Sequence, residues 1–290
     1  MPKTTTYLIN ITPFNLIMLG IEGVNLIKKV AHLNDSYIKN KKLDFDILYK
    51  SFIQITENIK FNKKDKIYIG LPAFSTLHSI ININEDISQS EIEYLYEWMA
   101  DFFLVSPPKA FNYYINKKKL ISGTHLEFFF IRKIILNNII KIAKDLNIPL
   151  LGIYSLYQKI IEKLLNNFVD ESNNFILVIS HEYYVELILW YNNKIDKIKT
   201  YQYKEPEKFF EHLYEEILNL ETNINLLDFI VLTGIIPNME NNILKIKTNF
   251  GLNVNYISYS DLNCEFSNYL EDKIPEDKRE IFTNTLFIMD

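Results

Sequence analysis

Apolar positions along this chain come in two rhythms, short runs of period two and longer stripes of period near 3.6. They alternate in a regular order. Residues 7–10 and 16–19 read as strands joined by the turn Thr12-Pro13-Phe14-Asn15. A second turn is expected over 20–23 and a third strand over 25–33, which together make an antiparallel meander. Residues 34–42 are polar and read as a loop. Phe45, Leu48, Phe52, Ile55 and Ile59 share one helical face, so 44–60 is predicted as an amphipathic helix. The run KIYIGL at 66–71 is a strand ending at Gly70-Leu71-Pro72, and 76–83 is another. Ser88-Gln89-Ser90-Glu91 fits a capping box. The helix it opens carries Ile92, Leu95, Tyr96, Met99 and Phe103 on one face. Strands follow over 111–115 and 124–130, with a basic turn expected at 116–119 between them. Residues 131–146 form a helix pattern, 149–153 a short strand and 154–168 another helix.

The second half repeats this plan. Residues 175–180 and 185–191 pair around His181-Glu182-Tyr183, Asn192-Asn193-Lys194 turns, and 197–203 is a strand. Pro206 opens a helix bearing Phe209, Phe210, Leu213, Ile217 and Leu218. Residues 229–232 then form a buried strand broken by Thr233-Gly234. Pro237 suits the first turn of the next helix, whose stripe is Met239, Ile243 and Ile246, and Gly251 suits its C-terminal cap. Residues 254–257 return as a strand, a polar stretch covers 258–277, and a last helix is expected over 278–289. Hairpin, strand, helix and strand thus occur once from Tyr7 and again from Phe175, as a duplicated α/β lobe. Turns at the ends of such parallel strands are where folds of this class usually take a ligand.

Composition narrows the chemistry. The chain has 290 residues, 48% of them hydrophobic, which is ample for real cores. Its net charge of −5 disfavours a broad nucleic-acid footprint. One cysteine, Cys264, excludes an intrachain disulfide framework and a cysteine zinc site. Its polar surroundings hold no evident activator, so it reads as inert. The N-terminus lacks a signal-peptide pattern, and no run is long and apolar enough to span a membrane. Glycine is the telling residue. There are only 7, against about 20 expected at ordinary usage. Loops that wrap phosphate need glycine for positive φ and close approach, so phosphate binding starts disfavoured. The five histidines show no metal spacing, no serine sits in a Gly-x-Ser-x-Gly elbow, and no catalytic constellation emerges. His181 and Glu182, adjacent in a strand, point to opposite faces and make a poor acid/base pair.

Two lobes that each open with a meander and continue α/β follow the plan of the actin-like, ribonuclease H-like fold. Within it the chain resembles the PilM proteins of type IV pilus machines, with FtsA and the cytoplasmic part of the type II secretion L protein as near relatives. The residues that carry the resemblance are Ile67-Tyr68-Ile69-Gly70-Leu71-Pro72 and the helix Ser90-Glu91-Ile92-Glu93-Tyr94-Leu95-Tyr96-Glu97-Trp98. Thr124–Ile153 matches in order, with Asp145-Leu146-Asn147-Ile148-Pro149 at its joint. Most specific is Ile230-Val231-Leu232-Thr233-Gly234-Ile235, similar to the family's adenosine turn. The resemblance implies a first lobe at 1–70 and 131–170, an inserted small α+β subdomain at 71–130 and a second lobe at 171–290.

Departures from the family pattern bear on function. Asn10 and Thr12 stand where the first phosphate loop has Asp and Gly, and Ile17 where it has Lys. Ser180 and His181 fall where the second loop has Asp and Gly, and Glu182 adds negative charge there. Ile235 replaces the second glycine of the adenosine turn, a poor fit for positive φ. Neither Mg²⁺-holding carboxylates nor phosphate donors are visible. Asn10 reads as an Asx turn in its hairpin, and the lysine run 117–119 as a solvated tip.

The resemblance therefore implies a non-enzymatic cytoplasmic scaffold, peripheral at the inner membrane, without cofactor and with a degenerate cleft at Asn10, Thr12, Ser180, His181, Thr233, Gly234 and Ile235. It implies a groove for the N-terminal cytoplasmic peptide of a bitopic inner-membrane protein, bordered by Leu71, Pro72, Phe74 and Trp98. Core packing is the competing reading for Trp98. Homo-oligomers are compatible with it. The alternatives are an ATP/Mg-binding protein with drifted loops, an FtsA-like polymer-forming protein and a sugar-kinase-like enzyme. The FtsA-like reading expects an amphipathic membrane helix after a linker, whereas this sequence ends directly after its last predicted helix. The enzyme needs a catalytic Asp and intact loops.

Overall fold

The computed structural model describes all residues except 1–3, 23–24, 33–37, 40–41, 104–106, 121–122, 221–223, 263–278 and 289–290. The chain divides into two compact units, Met1–Ala73 with Leu146–Asp290, and Phe74–Asp145.

The larger unit holds two five-stranded sheets of the same design. The first begins with β1 (Thr6–Ile11), β2 (Asn15–Glu22) and β3 (Asn25–His32), an antiparallel meander. Gly20 lies inside β2 rather than in the expected turn. A Cβ there would come within 2.4 Å of the Tyr7 ring, so glycine makes room for that ring on the neighbouring strand. A small ribbon, β4 (Ile38–Lys39) with β5 (Lys42–Leu43), precedes α1 (Phe45–Thr56). Asp44 caps α1 through Oδ1, which accepts from the backbone N–H of Asp46 and Ile47. The helix stops earlier than predicted because Asn58 adopts a left-handed φ of 65°. Strand β6 (Lys66–Leu71) then pairs parallel with β1.

The smaller unit interrupts the chain here. It contains β7 (Thr76–Ile83), α2 (Gln89–Phe103), β8 (Phe111–Leu120), β9 (Gly123–Arg132) and α3 (Lys133–Asp145). Its sheet order is β7-β9-β8, all antiparallel. One sheet face buries Leu126, Phe128, Phe130 and Phe111 against Ile92, Tyr96 and Met99 of α2. The capping box forms as expected: the Ser88 N–H donates to Glu91 Oε2 at 2.8 Å, and the Glu91 N–H to Ser88 Oγ at 3.4 Å. The expected basic turn does not. Residues 116–119 continue β8, with Lys117 opposite Leu126 and Lys119 opposite Thr124. β8 is an edge strand, where lysine is well tolerated. Lys119 Nζ reaches Asp86 Oδ2 at 2.7 Å, and Lys117 Nζ donates to the Ile87 carbonyl at 2.6 Å.

Back in the larger unit, β10 (Leu150–Ser155) pairs parallel with β6 and completes the sheet β10-β6-β1-β2-β3. The helix α4 (Leu156–Asn167) follows. The second sheet has β11 (Phe175–His181), β12 (Tyr184–Tyr191) and β13 (Lys194–Gln202) as its meander. Asn192 and Asn193 both take positive φ, as a two-residue hairpin turn requires. After α5 (Phe209–Leu218) come β14 (Phe229–Gly234), α6 (Met239–Phe250) and β15 (Asn253–Ile257). The order β13-β12-β11-β14-β15 repeats that of the first sheet. Pro237 sits before Asn238, the N-cap of α6, one step outside the helix it was expected to open. A last helix, α7 (Glu280–Leu286), is shorter than its predicted span and packs on β14, β1 and β2. One face of the second sheet buries Ile176, Val178, Leu187 and Leu232 against Phe209, Leu213 and Ile246 of α5 and α6. Every residue of β11 is buried.

Candidate functional site

Parallel strands place their C-terminal ends, and the turns that leave them, on one side of each sheet. In the first sheet that position belongs to Asn10 on β1, paired with Gly70 on β6. Asn10 is fully buried, and neither Nδ2 nor Oδ1 has a hydrogen-bond partner among the described residues. It makes no Asx turn. Thr12 builds the turn instead: its Oγ1 donates to the Asn15 carbonyl at 3.0 Å and accepts from the Asn15 N–H at 2.9 Å. The hydroxyl sits two residues nearer the bend than Asn10, whose side chain is buried in the interior. A Cβ on Gly70 would meet Ile288 Cδ1 at 2.6 Å, so the turn that follows α7 lies directly on this strand end.

In the second sheet the matching position is Ser180 and His181. Ser180 is buried, and its carbonyl accepts from the Ile235 N–H at 3.1 Å and from Asn284 Nδ2 at 2.9 Å. Its hydroxyl donates to the Ile235 carbonyl. His181 is 4% exposed, with Nε2 at 3.7 Å from Glu186 Oε1. Glu186 is fully buried, and its Oε1 accepts from the Ala73 N–H at 3.0 Å. The Tyr203 hydroxyl donates to the His181 carbonyl at 3.2 Å, and burial pushes that phenol up to about 12. The imidazole is thus paired with Glu186, two strand positions beyond its hairpin, and not with the adjacent Glu182.

The turn after β14 is held by the same parts. Gly234 has φ +86°, and a Cβ there would come 2.1 Å from the Ser180 carbonyl oxygen and 2.4 Å from Asn284 Nδ2. The left-handed residue is therefore Gly234, while Ile235 keeps an ordinary φ. The expected strain at Ile235 does not arise, because the turn spends its positive φ one residue earlier. Thr233 Oγ1 donates to Asn284 Oδ1 at 3.3 Å. The Tyr256 hydroxyl donates to the Gly234 carbonyl at 3.0 Å, and burial pushes it well above the ordinary phenol range.

Between the two sheets the hairpin turns meet. Asn15 Nδ2 donates to Glu182 Oε2 at 3.0 Å, and the rings of Phe14 and Tyr183 stand edge to face at 6.1 Å. His32 Nδ1 lies 2.6 Å from Asn15 Oδ1 and 3.9 Å from Glu182 Oε2. Residues 12–15 and 181–184 contain no lysine, arginine or glycine. The turns offer each other a carboxamide, a carboxylate and two aromatic rings.

The four residues expected to border a peptide groove lie in different settings. Leu71 and Pro72 are buried in the larger unit. Phe74 is partly buried and Trp98 is 45% exposed, both in the smaller unit. Sequence reasoning missed a polar row on that unit's sheet. His125 Nε2 lies 3.5 Å from Glu127 Oε1, both side chains buried, and His125 Nδ1 lies 2.7 Å from Asn82 Oδ1. His78, on the same face of β7, is lowered to about 4 by burial, against the opposing pull of Glu127. The period-two spacing of 125 with 127 and 78 with 82 was the available signal. Among the described residues, no group of three or more His, Cys, Asp or Glu side chains is arranged to hold a metal. Cys264 lies outside the described residues.

No protein-family model matches the sequence, and no curated protein does. Solved structures match across most of the chain. The PilM–PilN type IV pilus biogenesis complex aligns with TM-score 0.67 and 8% identity, over 98% of this chain and 97% of that one. An actin-like ATPase-fold protein from Bacteroides thetaiotaomicron gives TM-score 0.50 and 14% identity, over 93% and 96% of the two chains. The cytoplasmic domain of EpsL, an inner-membrane component of the Vibrio cholerae type II secretion system, gives TM-score 0.51 and 7% identity, over 81% and 84%. The chain has the actin-like fold.

Proposed function

We propose that this actin-like chain is a non-enzymatic scaffold of a type IV pilus or type II secretion-like machine. It sits at the cytoplasmic side of the inner membrane and binds a short cytoplasmic peptide of a membrane-anchored partner. The fold shared with the PilM of a PilM–PilN complex and with the EpsL cytoplasmic domain supports the machine class. Among the described residues no helix is long and apolar enough to cross a membrane, in keeping with attachment through a partner.

One observation supports the non-enzymatic reading. The positions that correspond to phosphate loops bond to each other, Asn15 to Glu182 and Phe14 against Tyr183. Phosphoryl chemistry works by positioning and by stabilising negative charge with cations and N–H donors. A carboxylate and two rings at that place work against both. Calorimetry with Mg-ATP tests the reading. No heat of binding is expected at up to about 1 mM nucleotide, whereas a dissociation constant near 1 μM would establish a drifted but working nucleotide site.

A further inference from the structure

A basic turn and a bulged strand meet at the end of the first sheet opposite the candidate site, where β6 and β10 begin. Residues 57–66 lead from α1 to β6 and are fastened at three points. The Lys29 ammonium donates to the Glu57 carbonyl. The Phe61 ring stands edge to face with that of Tyr7 at 5.2 Å. Asp65 is 6% exposed, and its Oδ1 and Oδ2 accept from the N–H groups of Thr5 at 3.0 Å and Asn62 at 2.7 Å. The carboxylate of Asp65 is thus engaged by the backbone and not by a lysine. Lys60, Lys63, Lys64 and Lys66 stay exposed, and Glu57 is the one exposed acid of the stretch. None of these four ammonium groups has a hydrogen-bond or ion-pair partner among the described residues. On a chain of net charge −5 they form a local concentration of cations on a pinned turn. Beside them runs β10, the edge strand. Leu150 pairs with Ile67 and Gly152 with Tyr68, so Leu151 is an extra residue between the two pairs. Such a bulge re-aims a side chain. Leu151 is 58% exposed, next to the start of β6 where Lys66 lies.

Lysines beside an exposed aliphatic side chain fit a surface that is anionic and apolar at once. An anionic lipid layer is such a surface. Its headgroups attract lysine within a Debye length, and its acyl boundary admits an apolar tip. A nucleic acid or a free phosphate offers the leucine nothing. No arginine accompanies these lysines to read a base edge, and no exposed aromatic ring is there to stack on one. We infer that this end of the first sheet is a contact site for anionic lipid. Lys60, Lys63, Lys64 and Lys66 meet the headgroups, and Leu151 enters the interface between them. This rests on the reading of the chain as peripheral at the inner membrane, and it adds a direct contact to attachment through a partner. The contact is shallow and reversible, since one leucine buries little apolar area and the rest is electrostatic.

The test sediments the full chain with vesicles of phosphatidylcholine alone and with vesicles of phosphatidylcholine and phosphatidylglycerol in equal parts. Binding is expected to the mixed vesicles alone, and it should fade as salt rises. Lys63→Gln with Lys64→Gln should weaken it about 25-fold, since each lysine near an anionic surface contributes about fivefold. Leu151→Ser should weaken it about threefold at every salt concentration, because its share is apolar. Lys141→Gln with Lys144→Gln removes as many exposed lysines from α3 and should leave binding unchanged. All five side chains are exposed, so thermal melts of these variants should match the parent. Absence of binding to the mixed vesicles, or an equal loss in the α3 variant, overturns the inference. Stronger binding to polyglutamate or to an oligonucleotide than to the vesicles marks a general anion site and overturns it as well. Mg-ATP binding in calorimetry would overturn the scaffold reading instead and would leave the vesicle result standing.

Discussion

Two crossovers in this molecule do the same topological task with very different contents. Each carries the chain from the fourth strand of a sheet to a parallel fifth. Between β14 and β15 the connection is the turn at Gly234 and the helix α6. Between β6 and β10 it holds a three-stranded sheet, α2 and α3. Parallel pairing demands only that the chain return to the same end of the sheet. What it carries on the way is free. The short crossover is fixed at its turn by Gly234, Ser180 and Asn284, which make it an internal joint. The long crossover carries exposed residues on α2, with Tyr94 at 70% exposure. The compact connection is thus a buried joint, and the expanded one holds a small core of its own.

Breaking the compact crossover should have the largest effect. Gly234→Ala puts a Cβ 2.1 Å from the Ser180 carbonyl oxygen in a left-handed residue. A loss on the order of 4 kcal/mol is expected, from strain and from displacing the Ser180–Asn284 contact. Urea unfolding followed by circular dichroism measures it, and a loss below about 1 kcal/mol would mean that the joint is not rigid.

The expanded crossover has its own weak point, and it is set by pH. His78 titrates at about 4 rather than its ordinary 6.5 because it is buried. The folded state binds fewer protons than the unfolded state between those values, so stability falls as pH drops through that window. The full loss is about 3 kcal/mol, reached near pH 4 and absent above pH 7. His78→Phe, beside the Phe129 ring at 4.8 Å, should remove this component from melts of the smaller unit at pH 7 and pH 4.5. An unchanged pH dependence would place the titration elsewhere.

Asn10 sharpens the comparison from the other side. Its amide is buried without a partner among the described residues. Burying an unpaired amide costs more than burying a hydrocarbon of similar shape. Asn10→Leu should therefore raise stability by about 1 kcal/mol. A loss of stability would mean that the amide holds an ordered water or a ligand, and it would reopen the nucleotide reading.

How far the sequence reveals all this depends on distance along the chain. The strand KIYIGL and the unit from Phe229 to Ile257 were legible because their signals are local: an apolar run, a glycine, a helical stripe. The capping box at Ser88 and Glu91 was legible for the same reason. The lysine run was misread because charge was taken for a turn signal, while the antiparallel partner Leu126 decides that 116–119 is strand. The contact between Asn15 and Glu182 spans 167 residues. No pattern within either hairpin announces it. That neither turn holds a lysine, arginine or glycine could be read, but not that the two turns bond to each other. The pairing of His181 with Glu186 was likewise hidden, since it depends on the hairpin register.

The smallest expected effect completes the contrast between the glycines that bracket α6. Gly251 has φ +67° and, unlike Gly234, nothing within 4 Å of the position a Cβ would take. Its N–H donates to the Lys247 carbonyl at 2.9 Å and closes the helix. Gly251→Ala meets only the intrinsic penalty of a left-handed alanine, about 1 kcal/mol. Asn tolerates that region better than alanine, so Gly251→Asn should recover part of the loss. Comparing Gly251→Ala with Gly234→Ala in the same urea series separates backbone strain alone from strain combined with a filled joint. If the two substitutions cost the same, Ser180 and Asn284 add nothing to the turn, and the description of it as a close-packed joint fails with them.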